Sequence, residues 1–338
     1  MLQHRLASYG RWVCAQRWRF TRESYGVVCR LVVVGDIVFE DKRNRARVGQ
    51  IKSMRVGEQT MSNGGVMAGK RGLIMGVAND RSLAWGIAKA VADAGGELAF
   101  TYQGEALEKR VRPLAESIGA KLVLPCDVTS AQSMDATFQT LKDEWGTMDF
   151  ALHAIAYSDK NELRGRYADT SRENFQRSLD ISCFSFTDMC RRAGEIMPNG
   201  GSLLTLTYLG AERVVPHYNV MGVAKAALEA SVRYLAQDFG KDSIRVNSLS
   251  AGPVKTLAAS GIGDFRYILK WNELNAPMER NVTIEDVGGA GMYLLSDLAR
   301  GVSGENHHVD GGYHAVGMLN TRNAREVSAL LADFKEKE

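Results

Sequence analysis

Tyr218 and Lys225 stand seven residues apart, and a second phenol, Tyr208, lies ten residues before the first. On a helix seven residues make just under two turns, so both side chains fall on one face, about 10 Å apart along the axis. The Cα–Cβ bond of a helical lysine tilts toward the helix N-terminus, and its long stem closes much of that distance. An ammonium beside a phenol favours phenolate, which makes the tyrosine a better proton donor. A donor of this kind suits an oxygen that gains charge during a reaction. A core tyrosine and a solvated lysine would show the same spacing, so the elements around the pair have to decide.

The segment LLTLTYLGAERVVPHYNVMGVAKAA, residues 203 to 227, opens as an apolar, β-branched run, breaks at Gly210 and Pro216 and turns helical from about Tyr218. This reads as a buried strand, a turn and a helix start. Tyr208 then sits at the carboxyl end of the strand, where open α/β sheets bind ligands. Upstream, strands are expected at Arg71–Met75, Glu97–Tyr102, Lys121–Pro125 and Phe150–Ile155. Helices alternate with them: one from Leu83 to Ala94, Glu105–Ser117 kinked at Pro113, Ser130–Trp145, and a long one over Glu173–Ile196. Strands Ser202–Thr207, Arg245–Ser250 and Asn306–Val309 follow, with helices at residues 218–239, Arg266–Asn275 and Ile284–Leu295. Strand and helix in this alternation mean parallel strands with right-handed crossovers. The expected fold is an α/β, single-domain, Rossmann-type doubly wound parallel sheet with helices on both faces, in strand order 3-2-1-4-5-6-7.

The first strand-to-helix turn should cradle a pyrophosphate at a helix N-terminus, where free N–H groups and the dipole favour an anion. It runs GVANDRSLAWG from Gly76 to Gly86, without the G-x-G-x-x-G spacing. Gly76 can make the turn, Ser82 can cap the helix and donate to phosphate, and Gly86 allows close helix–strand packing. Asp127 and Val128, just past the third strand, fall where an adenine would lie; Asp127 is either its acceptor or a turn-former. Gln103 and Glu105, at the end of the second strand, offer no base for a 2′-phosphate, which predicts NADH over NADPH. The small, Gly-rich run AGPVKTLAASGIGDF after Ser250 has the composition of a lid. In the last stretch Val327, Leu330, Leu331 and Phe334 mark an amphipathic tail helix.

The chain has 338 residues and a formal net charge of +3, with 12 Lys+Arg against 5 Asp+Glu in residues 1–60 and 30 against 34 in the rest. A mildly acidic body gives no footprint for nucleic acid. Residues 1–22 hold Arg5, Arg11, Arg17, Arg19 and Arg22 and no acid, a transit-peptide composition; translation from an upstream start is the other explanation. Val27–Phe39, interrupted by Arg30 and Asp36, is too short for a membrane span. The expected partition is an N-terminal extension, residues 1–60, outside the fold; one domain, 61–318; and a helical tail, 319–338. The five cysteines lie in no metal or redox spacing, which fits a reducing compartment, and Cys126 reads as a core residue. His307 and His308 would lie on opposite faces of a strand, a poor arrangement for one ion, so no metal is expected.

Residues 67–318 resemble the bacterial NADH-dependent enoyl-[acyl-carrier-protein] reductases of type II fatty-acid synthesis, divergent members of the short-chain dehydrogenase/reductase superfamily. The resemblance is carried by GVANDRSLAWGIA, ELAFTYQ, CDVT, TLTYLGAERVVPHYNVMGVAKAALEASVRYLA, RVNSLSAGPVKTLAASGI, VTIEDVG and GENHHVDGGY. Ordinary superfamily members place Tyr and Lys four apart, and position 222 here is Gly. The resemblance implies that Tyr218 hydrogen-bonds the thioester carbonyl as it becomes an enolate, that Lys225 holds the nicotinamide ribose, and that Tyr208 faces the substrate. It implies cofactor contacts at Gly76, Ser82, Leu83, Gln103, Asp127, Val128, Ile155, Val254, Lys255, Thr256, Leu257 and Ala258. Ser158, Met221 and Phe265 are implied to meet the acyl group. Leu83 replaces a commoner Ile, and Ala156 stands where many relatives have Gly. Gly263 and Tyr267 occupy lid positions that are basic in some relatives and face acyl carrier protein, leaving Arg266. A cytoplasmic homotetramer is also implied, the helix Ala224–Leu235 pairing across a two-fold axis.

Hydride delivered to the β-carbon of an enoyl thioester puts negative charge on the carbonyl oxygen, and a tyrosine aimed at that oxygen lowers the barrier. Two other functions stay open on the residues: a 3-oxoacyl (carbonyl) reductase of the same superfamily, which the missing Tyr-x3-Lys disfavours, and a non-catalytic nucleotide sensor, which the intact Tyr208, Tyr218 and Lys225 disfavour.

Overall fold

The computed structural model describes residues 65–257, Ala259 and 264–335. The expectations for residues 1–60, Ala258 and Gly263 lie outside the described residues. The strands are β1 Arg71–Met75, β2 Glu97–Tyr102, β3 Leu122–Pro125, β4 Phe150–His153, β5 Gly201–Thr207, β6 Ile244–Ala251 and β7 Asn306–Val309. All pair parallel in one sheet of order β3-β2-β1-β4-β5-β6-β7, as expected. The order reverses between β1 and β4, so their carboxyl ends flank the crevice where ligands bind in such sheets.

Alternation along each strand sends successive side chains to opposite faces. Ile74, Leu152 and Leu204 pack with helices α1 (Leu83–Asp93), α2 (Glu105–Ser117) and α8 (Ile284–Leu295). Leu73, Met75, Ala151 and Leu203 pack with α3 (Ala131–Trp145), α5 (Ser185–Glu195) and α6 (Asn219–Phe239) on the other face. Cys126 belongs to this second core, its thiol pKa raised by burial. The remaining helices are α4 (Arg172–Leu179), α7 (Phe265–Asn275) and α9 (Ala324–Lys335).

Three expectations are corrected. The long helix over Glu173–Ile196 is two helices, α4 and α5, joined by a π-helical turn at Asp180–Phe184; such turns leave no mark in hydrophobic periodicity. Gly86 serves helix–helix rather than helix–strand packing. A Cβ there would lie 2.3 Å from Ile284 Cγ2, and one at Gly288 would lie 2.6 Å from the Gly86 carbonyl oxygen, so α1 and α8 touch backbone to backbone. In α9, Val327 is buried but Leu331 is 47% exposed, so the apolar stripe is narrower than expected. The α2 helix continues through Pro113. Among the described residues no helix is long and apolar enough to cross a membrane, and no cluster of His, Cys, Asp and Glu could hold a metal ion.

Candidate active site and cofactor crevice

At the end of β1, Gly76 takes φ +99°, and a Cβ there would lie 2.2 Å from the Ala154 carbonyl oxygen. Only glycine lets β1 turn this close to the end of β4. The loop that follows is closed by Ser82, whose Oγ accepts from the N–H groups of Ala78 (3.0 Å) and Asn79 (3.1 Å). Ser82 stands at the N-cap position of α1, but its side chain makes no capping bond. This corrects its expected role: the hydroxyl builds the loop instead of capping the helix. With no acid in the first turn, the α1 N-terminus keeps its N–H groups and positive dipole end for an anion. That cradle and Gly76 fit a dinucleotide pyrophosphate. Leu83, the first helical residue, packs against the core.

At the ends of β2 and β3, Gln103 and Asp127 approach closely enough for the amide to help hold the carboxyl pKa below its usual range, after the larger effect of Thr129. Asp127 Oδ1 accepts from Thr129 N (2.9 Å) and Thr129 Oγ1 (2.7 Å), so it forms a turn. Glu105 pairs with Lys109 one turn along α2 at 2.7 Å, both side chains largely in solvent. Val128 and Ile155 line the core nearby.

The tyrosines meet beyond β5. Tyr208 follows the strand, Tyr218 caps α6, and their rings stand edge to face with centroids 5.1 Å apart at 75°. Tyr218 is flanked by two non-glycine residues at positive φ, His217 (60°) and Asn219 (36°). Asn219 Nδ2 fixes the turn by donating to the carbonyls of Glu162 and Gly165, each at 3.3 Å. Tyr218 and Met221 are buried together with Leu163, Val220 and Ala224. Lys225 is buried on α6, and its Nζ donates to the Leu206 carbonyl at 2.7 Å. Burial pulls its pKa down to about 8.

The expected ionic pairing is corrected here. Lys225 reaches the β5 backbone, and Tyr218 has its pKa raised, by burial first and then by the neighbouring Tyr208 and Glu229. Burial outweighs any cation, so the phenol keeps its proton. Tyr208 is likewise pushed up to about 12, by burial and then by Tyr313 and Asp310.

The remaining expected residues are spread around this pair. The Ser158 hydroxyl sits in a network with Asn174 (3.3 Å) and Ser178 (3.0 Å). Val254 packs on the core, Lys255 is exposed, Thr256 Oγ1 accepts from Ala259 N (3.1 Å), and Leu257 is half-exposed. Phe265 begins α7, whose preceding residue Asp264 lies 3.3 Å from His217, so α7 starts beside the Tyr218 turn.

A family model described as Enoyl-(Acyl carrier protein) reductase matches residues 76–314. The chain belongs to that family. This reductase is 65% identical over 266 residues to enoyl-[acyl-carrier-protein] reductase [NADH] 1 of Rhizobium meliloti, covering 79% of this chain and 97% of the relative. It is 56% identical over 253 residues to the Rickettsia felis enzyme of the same activity, covering 75% of this chain and 97% of that one. Among solved structures, the Anaplasma phagocytophilum reductase in complex with NAD matches at 64% identity and a TM-score of 0.74, covering 76% of this chain and 98% of that one. The Bacillus cereus reductase with NADP+ and an indole naphthyridinone matches at 53% and 0.74, covering 75% and 100%.

Sequence reasoning missed several residues that this reductase brings near the tyrosine pair. Glu229 is buried, its carboxylate accepting from Thr207 Oγ1 at 2.6 Å, and burial raises its pKa. Its position four residues after Lys225 was a readable signal. Trp271 of α7, whose Nε1 donates to Tyr313 Oη at 2.8 Å, and the His217–Asp264 contact join segments far apart in the chain and carried none.

Proposed function

We propose that this chain reduces the trans-2 double bond of enoyl-[acyl-carrier-protein] thioesters with hydride from NADH, the last step of the fatty-acid elongation cycle. The observation that carries the reading is at position 222. A lysine there would give the spacing of the superfamily's carbonyl reductases, but a Cβ at Gly222 would lie 2.7 Å from the Gly210 carbonyl oxygen. The turn has closed on that position, and the lysine acts from 225.

When bound, NADH supplies the hydride that the β-carbon of the thioester accepts. Tyr218, held protonated by burial, donates a hydrogen bond to the thioester oxygen as charge reaches it. Lys225 anchors one N–H on Leu206, and an ammonium has two more donors for the ribose hydroxyls. Tyr208 braces the Tyr218 ring and, with Ser158, Met221 and Phe265, bounds the acyl group. Gly76 and the α1 N-terminus would hold the pyrophosphate, Gln103, Asp127 and Val128 the adenosine, and Ile155 with residues 254–257 the nicotinamide side. The test is the purified protein with NADH and either an enoyl or a 3-oxoacyl thioester. Oxidation of NADH only with the enoyl substrate supports the reading; turnover of the 3-oxoacyl substrate instead overturns it.

The enzyme is a cytoplasmic homotetramer that receives its substrate from acyl carrier protein at Arg266. Exposed Ala226 and Tyr234 (76% exposed) leave α6 with a face for a second copy. A monomer mass by light scattering at micromolar concentration would refute the assembly.

A further inference from the structure

The α7 helix touches both tyrosine neighbourhoods. Before its first turn, Asp264 Oδ2 lies 3.3 Å from His217 Nε2, next to Tyr218. At its seventh residue, Trp271 donates to Tyr313 at 2.8 Å, and Tyr313 acts electrostatically on Tyr208. Between these two connections lies Tyr267, and it is held by α9. Tyr267 Oη donates to Asp333 Oδ2 at 2.9 Å, and its ring meets Phe334 edge-on, centroids 4.7 Å apart at 89°. Arg266 lies over the same ring, its guanidinium carbon 5.4 Å from the centroid.

The far end of α7 is tied to the same C-terminal stretch. Asn323 Nδ2 donates to the Leu274 carbonyl at 2.7 Å, and Asn320 N donates to Asn275 Oδ1 at 3.0 Å. Arg322 pairs with Glu279 at 3.1 Å, in the turn just after α7. Val327, 2% exposed, buries the middle of α9. So the C-terminal stretch grips α7 at both ends and by different chemistries: α9 holds its first turn through Asp333 and Phe334, and residues 320–323, just before α9, hold its last.

We propose that α9 is an intramolecular strap that positions α7 against the substrate end of the crevice, with Tyr267, Asp333 and Phe334 as its positioning residues. The strap sets the KM for the enoyl thioester and leaves cofactor binding and the chemical step alone. This rests on the reductase reading above, which the unaltered protein tests by itself.

The variants are Tyr267→Phe with Phe334→Ala in the full chain, and a chain ending at Leu319. Crotonyl coenzyme A serves as substrate at saturating NADH, with NADH affinity measured by fluorescence. The expected result is a KM raised about threefold or more, with kcat and NADH affinity changed less than about twofold. Amide exchange over Phe265–Asn275, measured without substrate, should speed up about tenfold in the double variant while β1 and β4 stay protected. An unchanged KM or unchanged α7 exchange in the double variant overturns the strap. A parallel loss of NADH affinity also overturns it, because α9 would then be a general support. Should the shortened chain fail to fold, the double variant decides. Should the unaltered protein leave the enoyl thioester unreduced, the reductase reading fails and the exchange measurement still decides the strap.

Discussion

At the tyrosine end of the crevice, Tyr218, Lys225 and Glu229 are buried, and the bonds of Lys225 and Glu229 run to strand β5, about twenty residues away in the chain. At the β2–β3 end, Gln103, Glu105 and Thr129 are exposed, and the bonds there tie Glu105 to Lys109 and Asp127 to Thr129, within four residues. Burial shifts the ionisation of the first group, while local hydrogen bonds set Asp127 in the second. One end can therefore tune proton chemistry, and the other can be altered residue by residue without disturbing the sheet.

The sharpest way to break this contrast is Tyr218→Phe. If the phenol is the main donor to the thioester oxygen, turnover falls about 10²–10³-fold. A loss under about threefold, measured as kcat with saturating substrates, would hand that role to Tyr208.

Lys225→Ala should weaken NADH binding about tenfold or more. The unaltered enzyme should show a pH dependence with a definite sign. Below about pH 8 the Lys225 ammonium is charged, and as pH rises through 8 the charge is lost, so kcat/KM for NADH falls on the alkaline side. Lys225→Arg should remove that limb, and an alkaline limb that persists there would belong to another group.

The exposed end predicts a smaller, tunable effect. NADH should be preferred over NADPH by at least about tenfold in kcat/KM, and Gln103→Arg with Glu105→Lys should narrow the ratio. Because Glu105 is paired with Lys109, its repulsion of a 2′-phosphate is weakened, and Gln103→Arg is expected to be the stronger of the two changes. Equal use of both cofactors by the unaltered protein would put a basic group from elsewhere at the 2′ position. Smallest of all, deleting residues 1–60 should leave the melting temperature and turnover unchanged, since the segment lacks core patterning. A marked drop in either would make it part of the fold.

The sheet was legible because parallel strands, buried on both faces, show as apolar runs, and the expected order 3-2-1-4-5-6-7 is that of a doubly wound Rossmann-type sheet. The segment over Glu173–Ile196 was legible as helix but not as two helices, because a π turn adds one residue to the ladder without changing composition. Tyr208, Tyr218 and Lys225 could be assigned to one site only because the spacing fell within a strand, a turn and a helix start, and the structure sets the two tyrosine rings against each other. What spacing could not supply was depth: the phenol's proton is held by burial, which depends on Met221, Leu163 and Val220 closing around it. Nor could it show Ser82 turning its hydroxyl inward, since a serine before a helix carries the same letter whether it caps or braces.

The two positive-φ residues beside Tyr218 bear on the order in which the molecule assembles. An isolated chain disfavours His217 and Asn219 in the left-handed region, each by about 1 kcal/mol. Local preference therefore opposes the turn until its tertiary clamps exist: the Asn219 bonds to Glu162 and Gly165, and the His217 contact with Asp264. Those partners come from opposite sides of the chain and meet only once the slow parallel pairing of the sheet is done. During refolding, native secondary structure should thus appear before enzymatic activity, the turn carrying the tyrosine being among the last pieces to set.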